Sequence, residues 1–132
     1  MIKKPIRGFA DLDVYQSSYA CMLEVARHIL SKLPESEKYD LRDQLSRSIK
    51  AIPRLIGEGF GKKHQKAGFQ KYLDDAMAET NETIVGLNQV KDLYGIEVDL
   101  CESLIKKYDI IARQIFRLAE AWDNFTNRRR KP

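Results

Sequence analysis

Between Tyr39 and Gly61 the chain reads YDLRDQLSRSIKAIPRLIGEGFG, and Leu41, Leu45, Ile49, Ile52, Ile56 and Phe60 recur there at intervals of three or four. That is the period of an α-helix with one face in a core. Arg42, Arg47, Lys50 and Arg54 take much of the remaining circumference, so one face is built to pack and another to carry positive charge. Pro53 lies inside this pattern; its missing N–H and its ring predict a bend near Ile49 or Lys50. Gly57, Gly59 and Gly61 follow, small residues that let another backbone approach or help stop the helix.

Such a helix needs partners, and the chain supplies them. Asp11 or Asp13 caps a first helix in which Leu12, Tyr15, Tyr19, Met22, Ala26, Ile29 and Leu33 form the stripe and which Pro34 ends. Ser36, with Glu35 and Glu37, opens the next segment after only a few residues, which predicts antiparallel neighbours. The stretch KKHQKAG after Gly61 is too polar and too short to separate domains. Phe69, Tyr72, Ala76, Thr80, Thr83, Leu87, Val90 and Tyr94 mark a third helix, closed by Gly95. Thr80 and Thr83 on that stripe need hydrogen bonds to their own turn or across an interface. Asp99 caps a fourth helix, with Glu102 in the capping-box position and a stripe of Leu100, Leu104, Tyr108, Ile111, Ile115, Leu118, Trp122 and Phe125. No alternating β-rich run competes.

The expected architecture is one domain over residues 1–132: all-α, an antiparallel up-down-up-down four-helix bundle with a proline bend in helix two. Residues 1–10 form a short basic arm, and residues 126–132, ending in NRRRKP, a loose basic tail. Leu23 and Leu30 beside the first stripe, and Ile105 and Ile110 beside the fourth, are surplus apolar rows that a second copy could cover.

Chemistry is sparse. His28 and His64 have no companion ligand at a fixed offset, and Glu58, Asp74, Asp75, Glu79 and Glu82 lack the Glu-x-x-His pairs of a carboxylate bundle metal site. Ser46 and Ser48 have no histidine base, and no strand or GK[ST] accompanies the glycines. No catalytic residue, metal site or cofactor is therefore assigned, and the expected protein is not an enzyme. Cys21 and Cys101 sit inside helical patterns and are expected as buried, reduced thiols. The opening MIKKPIRGF has no apolar h-region and no run suits a bilayer, so the expectation is cytoplasmic, with no membrane partner.

Positive charge is the feature with functional content. Lysine and arginine total 23 against 19 acidic residues, a net +4 that permits an anionic partner without requiring one. Arg47, Lys50 and Arg54 recur at three and four along one side, a spacing suited to successive phosphates, and Lys62, Lys63 and Lys66 follow in the next loop. These six are the candidate nucleic-acid contacts, for RNA or DNA. The bland alternative is a solvated face on a structural or protein-interaction oligomer. Pro53, Glu58, Gly59 and Glu82 are assigned structural roles, the two glutamates as partners that neutralise arginines inside or between subunits.

The segment LRDQLSRSIKAIPRLIGEGFGK, with Leu41, Gln44, Leu45, Arg47, Ile52, Pro53, Ile56, Glu58, Gly59 and Gly61 in matching places, resembles the family of small bacterial four-helix-bundle proteins first noticed in the intervening sequences of 23S ribosomal RNA genes. That family also includes the accessory variability determinant of diversity-generating retroelements. FQKYLDDAMAETNETIVGL is similar to its third-helix signature, and the likeness begins at FADLDVYQSSYACMLEVARHIL. Arg54 and Leu55 stand where the family usually has Ser-Asn, Gly57 where it has Ala, and Ala78 and Glu79 where it has Gly-Ser. The resemblance implies a ring-like homopentamer without enzymatic activity, and in the retroelement members a nucleic acid and a reverse transcriptase as partners.

Overall fold

The computed structural model describes residues 5–130, with side chains through residue 124. Its four α-helices are α1 (Asp13–His28), α2 (Leu41–Gly61), α3 (Gly68–Tyr94) and α4 (Val98–Arg130), and the described residues contain no strand. α2 packs on α1 and α3, and α4 packs on α3 and α1.

α2 buries Leu41, Leu45, Ile49, Ile52 and Ile56, the row that the period of its sequence marks out. Full burial of each such side chain contributes about 1.5–3 kcal/mol. Pro53 is buried within α2, which continues across it as one helix although the Ile49 carbonyl loses its usual donor.

α3 lies against α2 from Tyr72 to Gly86. Leu45 meets Gly86, Ser48 meets Thr83, and Gly59 meets Tyr72. At Gly59 the approach is so close that a Cβ would stand 2.5 Å from the Tyr72 Cβ, a distance only glycine permits. Thr80 donates to the Ala76 carbonyl at 2.7 Å. The Thr83 hydroxyl is 2.9 Å from the Glu79 carbonyl and 2.8 Å from the Ser48 hydroxyl, so both expected solutions, own turn and interface, are used. Phe69 closes this end of the bundle, edge-on to Phe60 at 5.9 Å and to Trp122 at 5.4 Å.

Several boundaries differ from the sequence reading. α1 stops at His28, not at Leu33, and residues 29–40 carry two short 3-10 turns, Leu30–Lys32 and Glu35–Glu37, instead of a few-residue link. Asp11 does not cap α1: its carboxylate accepts from the Arg7 and Gly8 amides at 2.8 and 3.3 Å and closes the turn Phe9–Asp11. Asp99 falls inside the first turn of α4, which starts at Val98. The backbone of α4 stays helical to Arg130, so the tail expected from residue 126 is helix up to that point, and residues 131–132 lie outside the described residues. Of the arm expected at 1–10, residues 1–4 also lie outside them.

The largest correction concerns α1. Its buried face is Val14, Ser18, Cys21 and Val25, one residue out of step with the expected Tyr15, Tyr19, Met22 and Ala26. Ser18 and Cys21 fill this buried face with small side chains, and the Ser18 hydroxyl is satisfied by the Tyr15 carbonyl at 3.1 Å. A one-residue offset turns a helix by about 100°, which moves Tyr15 and Tyr19 to the flank facing α2. Cys21 and Cys101 are buried free thiols. The connection 62–67 ends at Ala67, whose φ is +56°, and Gly95 closes α3 with φ +59° as its position after the last turn suggests.

Candidate nucleic-acid interface

With Leu45, Ile49, Ile52 and Ile56 fixed inward, the helical period carries Asp43, Arg47, Lys50, Arg54 and Glu58 outward, and all five are exposed. The three cations thus share one side of α2, flanked at both ends by a carboxylate. Arg47 makes an ion pair with Asp43, Nη1 to Oδ2 at 3.7 Å, one turn away on the same helix. Its side chain is 76% exposed, so this pair contributes at most about 0.5 kcal/mol. Among the described residues no ion pair joins Glu58 or Glu82 to an arginine, and both glutamates are exposed. Glu58 and Glu82 instead share a hollow with Arg47 and Arg54 without a direct ion pair. Lys50 and Arg54 form no ion pair at all among the described residues.

Arg54 stands between two open hollows. The first, about 560 Å³, lies between α1 and α2, where Lys50, Arg54 and Glu58 face Tyr15, Tyr19 and Met22. Phe9 covers Gly57 there, its ring 3.5 Å from where a Cβ on that glycine would stand, and meets Tyr15 edge-on at 4.9 Å. The second, about 470 Å³, lies between α2 and α3 and collects Arg47, Arg54, Glu58, Glu79 and Glu82 over Ser48. Burial, then the charge and hydrogen bond of Glu82, hold the Glu79 carboxyl above its ordinary range, against a smaller opposing pull from Arg47. The first hollow joins aromatic surface to cations; the second is a mixed-charge site in which acids balance arginines.

Lys62, Lys63 and Lys66 are brought together at the far end of α2 and not beside the row. Lys62 follows Arg54 by about 12 Å along the helix axis. The Lys62 and Lys63 amides donate to the Gly59 and Phe60 carbonyls at 2.9 and 3.3 Å, and cations beside these carbonyls also suit the negative end of the helix dipole. Lys63 Nζ rests 4.1 Å above the centre of the Phe60 ring. The predicted six residues thus form a row of three and an end cluster of three.

The sequence reading assigned Tyr15 and Tyr19 to the core and so missed their place beside Lys50 and Arg54. The signal available was the second set at helical spacing, Val14, Ser18, Cys21 and Val25. For catalysis little converges. Ser48 is buried, His28 and His64 are exposed, and burial pushes the Cys21 thiol up to about 11, away from nucleophilic use. Among the described residues no three of His, Cys, Asp and Glu gather closely enough to hold a metal ion, and no helix is long and apolar enough to cross a membrane.

Comparison with known proteins adds one finding: the family model described as 23S rRNA-intervening sequence protein matches residues 10–117. No curated protein matches the chain.

Proposed function

The chain belongs to the 23S rRNA-intervening sequence protein family, and from that premise we propose that it is a non-enzymatic nucleic-acid-binding accessory protein. The observation that carries this reading is the row Arg47, Lys50 and Arg54, exposed along one side of α2 with Lys50 and Arg54 free of ion pairs among the described residues. A cation held in an internal ion pair is less available to a phosphate, and Lys50 and Arg54 are in none among the described residues.

The rest of the proposal concerns assembly. The protein acts in the cytoplasm as a closed homo-oligomer; the number five, and a reverse transcriptase as candidate protein partner, both come from the family resemblance. Each copy would repeat the row and multiply the field beyond what +4 per chain supplies. An antiparallel up-down-up-down order and a bend at Pro53 belong to the same reading, the order being supported by the pairs Phe9–Gly57, Ser48–Thr83, Phe69–Trp122 and Glu24–Lys107. A second reading, a protein-interaction oligomer whose charge is incidental, draws support from exposed apolar side chains: Leu93 at 67%, Phe116 at 62% and Ile110 at 53%.

The test replaces Lys50, Arg54 and Lys62 by glutamine, after light scattering and thermal unfolding confirm an unchanged particle. Binding to mixed-sequence RNA and duplex DNA is then followed across a salt series. Each lost phosphate contact should reduce the slope of log affinity against log salt by about 1, with similar losses on every sequence. Wild-type protein with no salt-sensitive binding at low ionic strength would leave the second reading standing. A wild-type particle of 15.3 kDa would remove the closed ring.

A further inference from the structure

We propose that the hollow between α1 and α2 takes a single-stranded stretch of nucleic acid, with bases stacked on Tyr15 and Tyr19 and phosphates on Lys50 and Arg54. This rests on the nucleic-acid reading above and names the strand form that the surface selects. Tyr19 is 43% exposed and Phe9 42% exposed, large rings left partly open to water. The rings form a ladder: Phe9 to Tyr15 at 4.9 Å, Tyr15 to Tyr19 at 5.8 Å. Lys50 and Arg54 line the same hollow from the α2 side.

Aromatic rings partly open to water, Tyr19 more so than the half-buried Tyr15, beside cations without ion pairs are what a single strand needs, since its bases are free to stack and its phosphates track a basic edge. A duplex offers the phosphates alone, because its base faces are already covered by their neighbours. Glu58, at the rim of this hollow, opposes a phosphate there, but Lys50 and Arg54 outnumber it. In the hollow on the other side of Arg54, Glu58, Glu79 and Glu82 outnumber Arg47 and Arg54, which disfavours a polyanion. A second copy of the chain, itself carrying +4, complements the Lys50–Arg54 edge less well than a polyanion does.

The experiment measures fluorescence anisotropy of the full-length protein with a labelled oligothymidine, an abasic strand of equal length and a matched duplex, each over a salt series. The oligothymidine should bind about 10-fold more tightly than the abasic strand. Tyr19→Ala should weaken oligothymidine binding roughly 5- to 100-fold while leaving the abasic strand and the salt slope unchanged. Tyr19→Phe should retain wild-type binding; should Tyr19→Ala not fold, Tyr19→Leu, apolar but not planar, takes its place. Salt-sensitive binding that is equal for all three probes and indifferent to Tyr19→Ala overturns the stacking site and leaves the electrostatic function intact. A change of oligomer mass in Tyr19→Ala or Tyr19→Leu assigns the hollow to a subunit contact and overturns the proposal. Absence of salt-sensitive binding to any probe overturns both readings.

Discussion

Adding a single methyl group at Gly59 tests how α2 and α3 are held together. A Cβ there would lie 2.5 Å from the Tyr72 Cβ, 3.1 Å from Phe69 Cδ1 and 3.2 Å from Tyr72 Cγ. Carbon atoms in contact prefer about 3.5–4.0 Å, so the two helices must part locally by about 1–1.5 Å or tilt. The nearest neighbour is a Cβ fixed to the α3 backbone, so a rotamer change cannot relieve the clash. Overpacking of this kind costs about 1–3 kcal/mol, while alanine for glycine inside a helix returns about 0.5–1 kcal/mol. Gly59→Ala should therefore lose about 1–2 kcal/mol net, a fall in melting temperature of about 3–8 °C for a chain of this size. Gly61 is the internal control: no atom lies within 4 Å of its added Cβ, so Gly61→Ala should be neutral or gain a few tenths of a kcal/mol. Thermal and urea unfolding at one fixed protomer concentration would measure both, since stability of an oligomer depends on concentration. A Gly59→Ala protein as stable as wild type, or both variants moving in the same direction, would refute the close-contact argument.

Two further outcomes follow from buried or partly buried polar groups. Ser48→Ala and Thr83→Val each remove one side of the buried hydroxyl pair between α2 and α3; a double-mutant cycle in urea should return a coupling of about 0.5–1.5 kcal/mol, and additive effects would mean the pair contributes nothing. Glu79 is held above its ordinary range, so its native state favours the protonated form: that stability is complete at acid pH and is lost as pH rises through the raised value. Glu79→Gln should accordingly raise the melting temperature at neutral pH, with the difference vanishing as pH falls through the ordinary carboxylate range; a pH-independent difference would remove burial and Glu82 as the cause.

How far the sequence could be read depended on whether a helix offered one apolar face or two. α2 offers one, because Arg47, Lys50 and Arg54 leave no alternative to the row of Leu45, Ile49, Ile52 and Ile56, and that row is buried as expected. α3 was nearly as plain, down to the hydrogen bonds demanded by Thr80 and Thr83, although Tyr94 at the end of the expected stripe is exposed and Leu73, outside it, is buried. α1 offers two. Tyr15, Tyr19 and Met22 outweigh Ser18 and Cys21 on any scale of apolar size, yet the face with Val14, Ser18, Cys21 and Val25 is the buried one, since a close-packed interior selects on fit and not on size alone. That same misassignment hid half of the candidate site, since the rings beside Lys50 and Arg54 had been spent on the interior. The cations themselves were legible by spacing, but the separation of Lys62, Lys63 and Lys66 from the row depends on where α2 ends in space. Asp43 as the partner of Arg47 is also legible in the sequence, as an i, i+4 pair.

The path of the connection between α2 and α3 is set from elsewhere in the molecule. Ala67 sits at φ +56°, a conformation that alanine does not choose for itself, costing about 1–2 kcal/mol. What holds it there is the closure of α2 on α3 at Gly59 and the Phe60–Phe69 contact, not any preference of the intervening residues. Lys62 and Lys66 are exposed on this segment. A sequence drifting over generations could therefore gain or lose charge at those two positions without disturbing the helices, whereas the spacing and direction of Lys50 and Arg54 are set by the helix they share with Pro53 and Gly59. The connection is the part of this surface where charge can change in number without a helical spacing to keep.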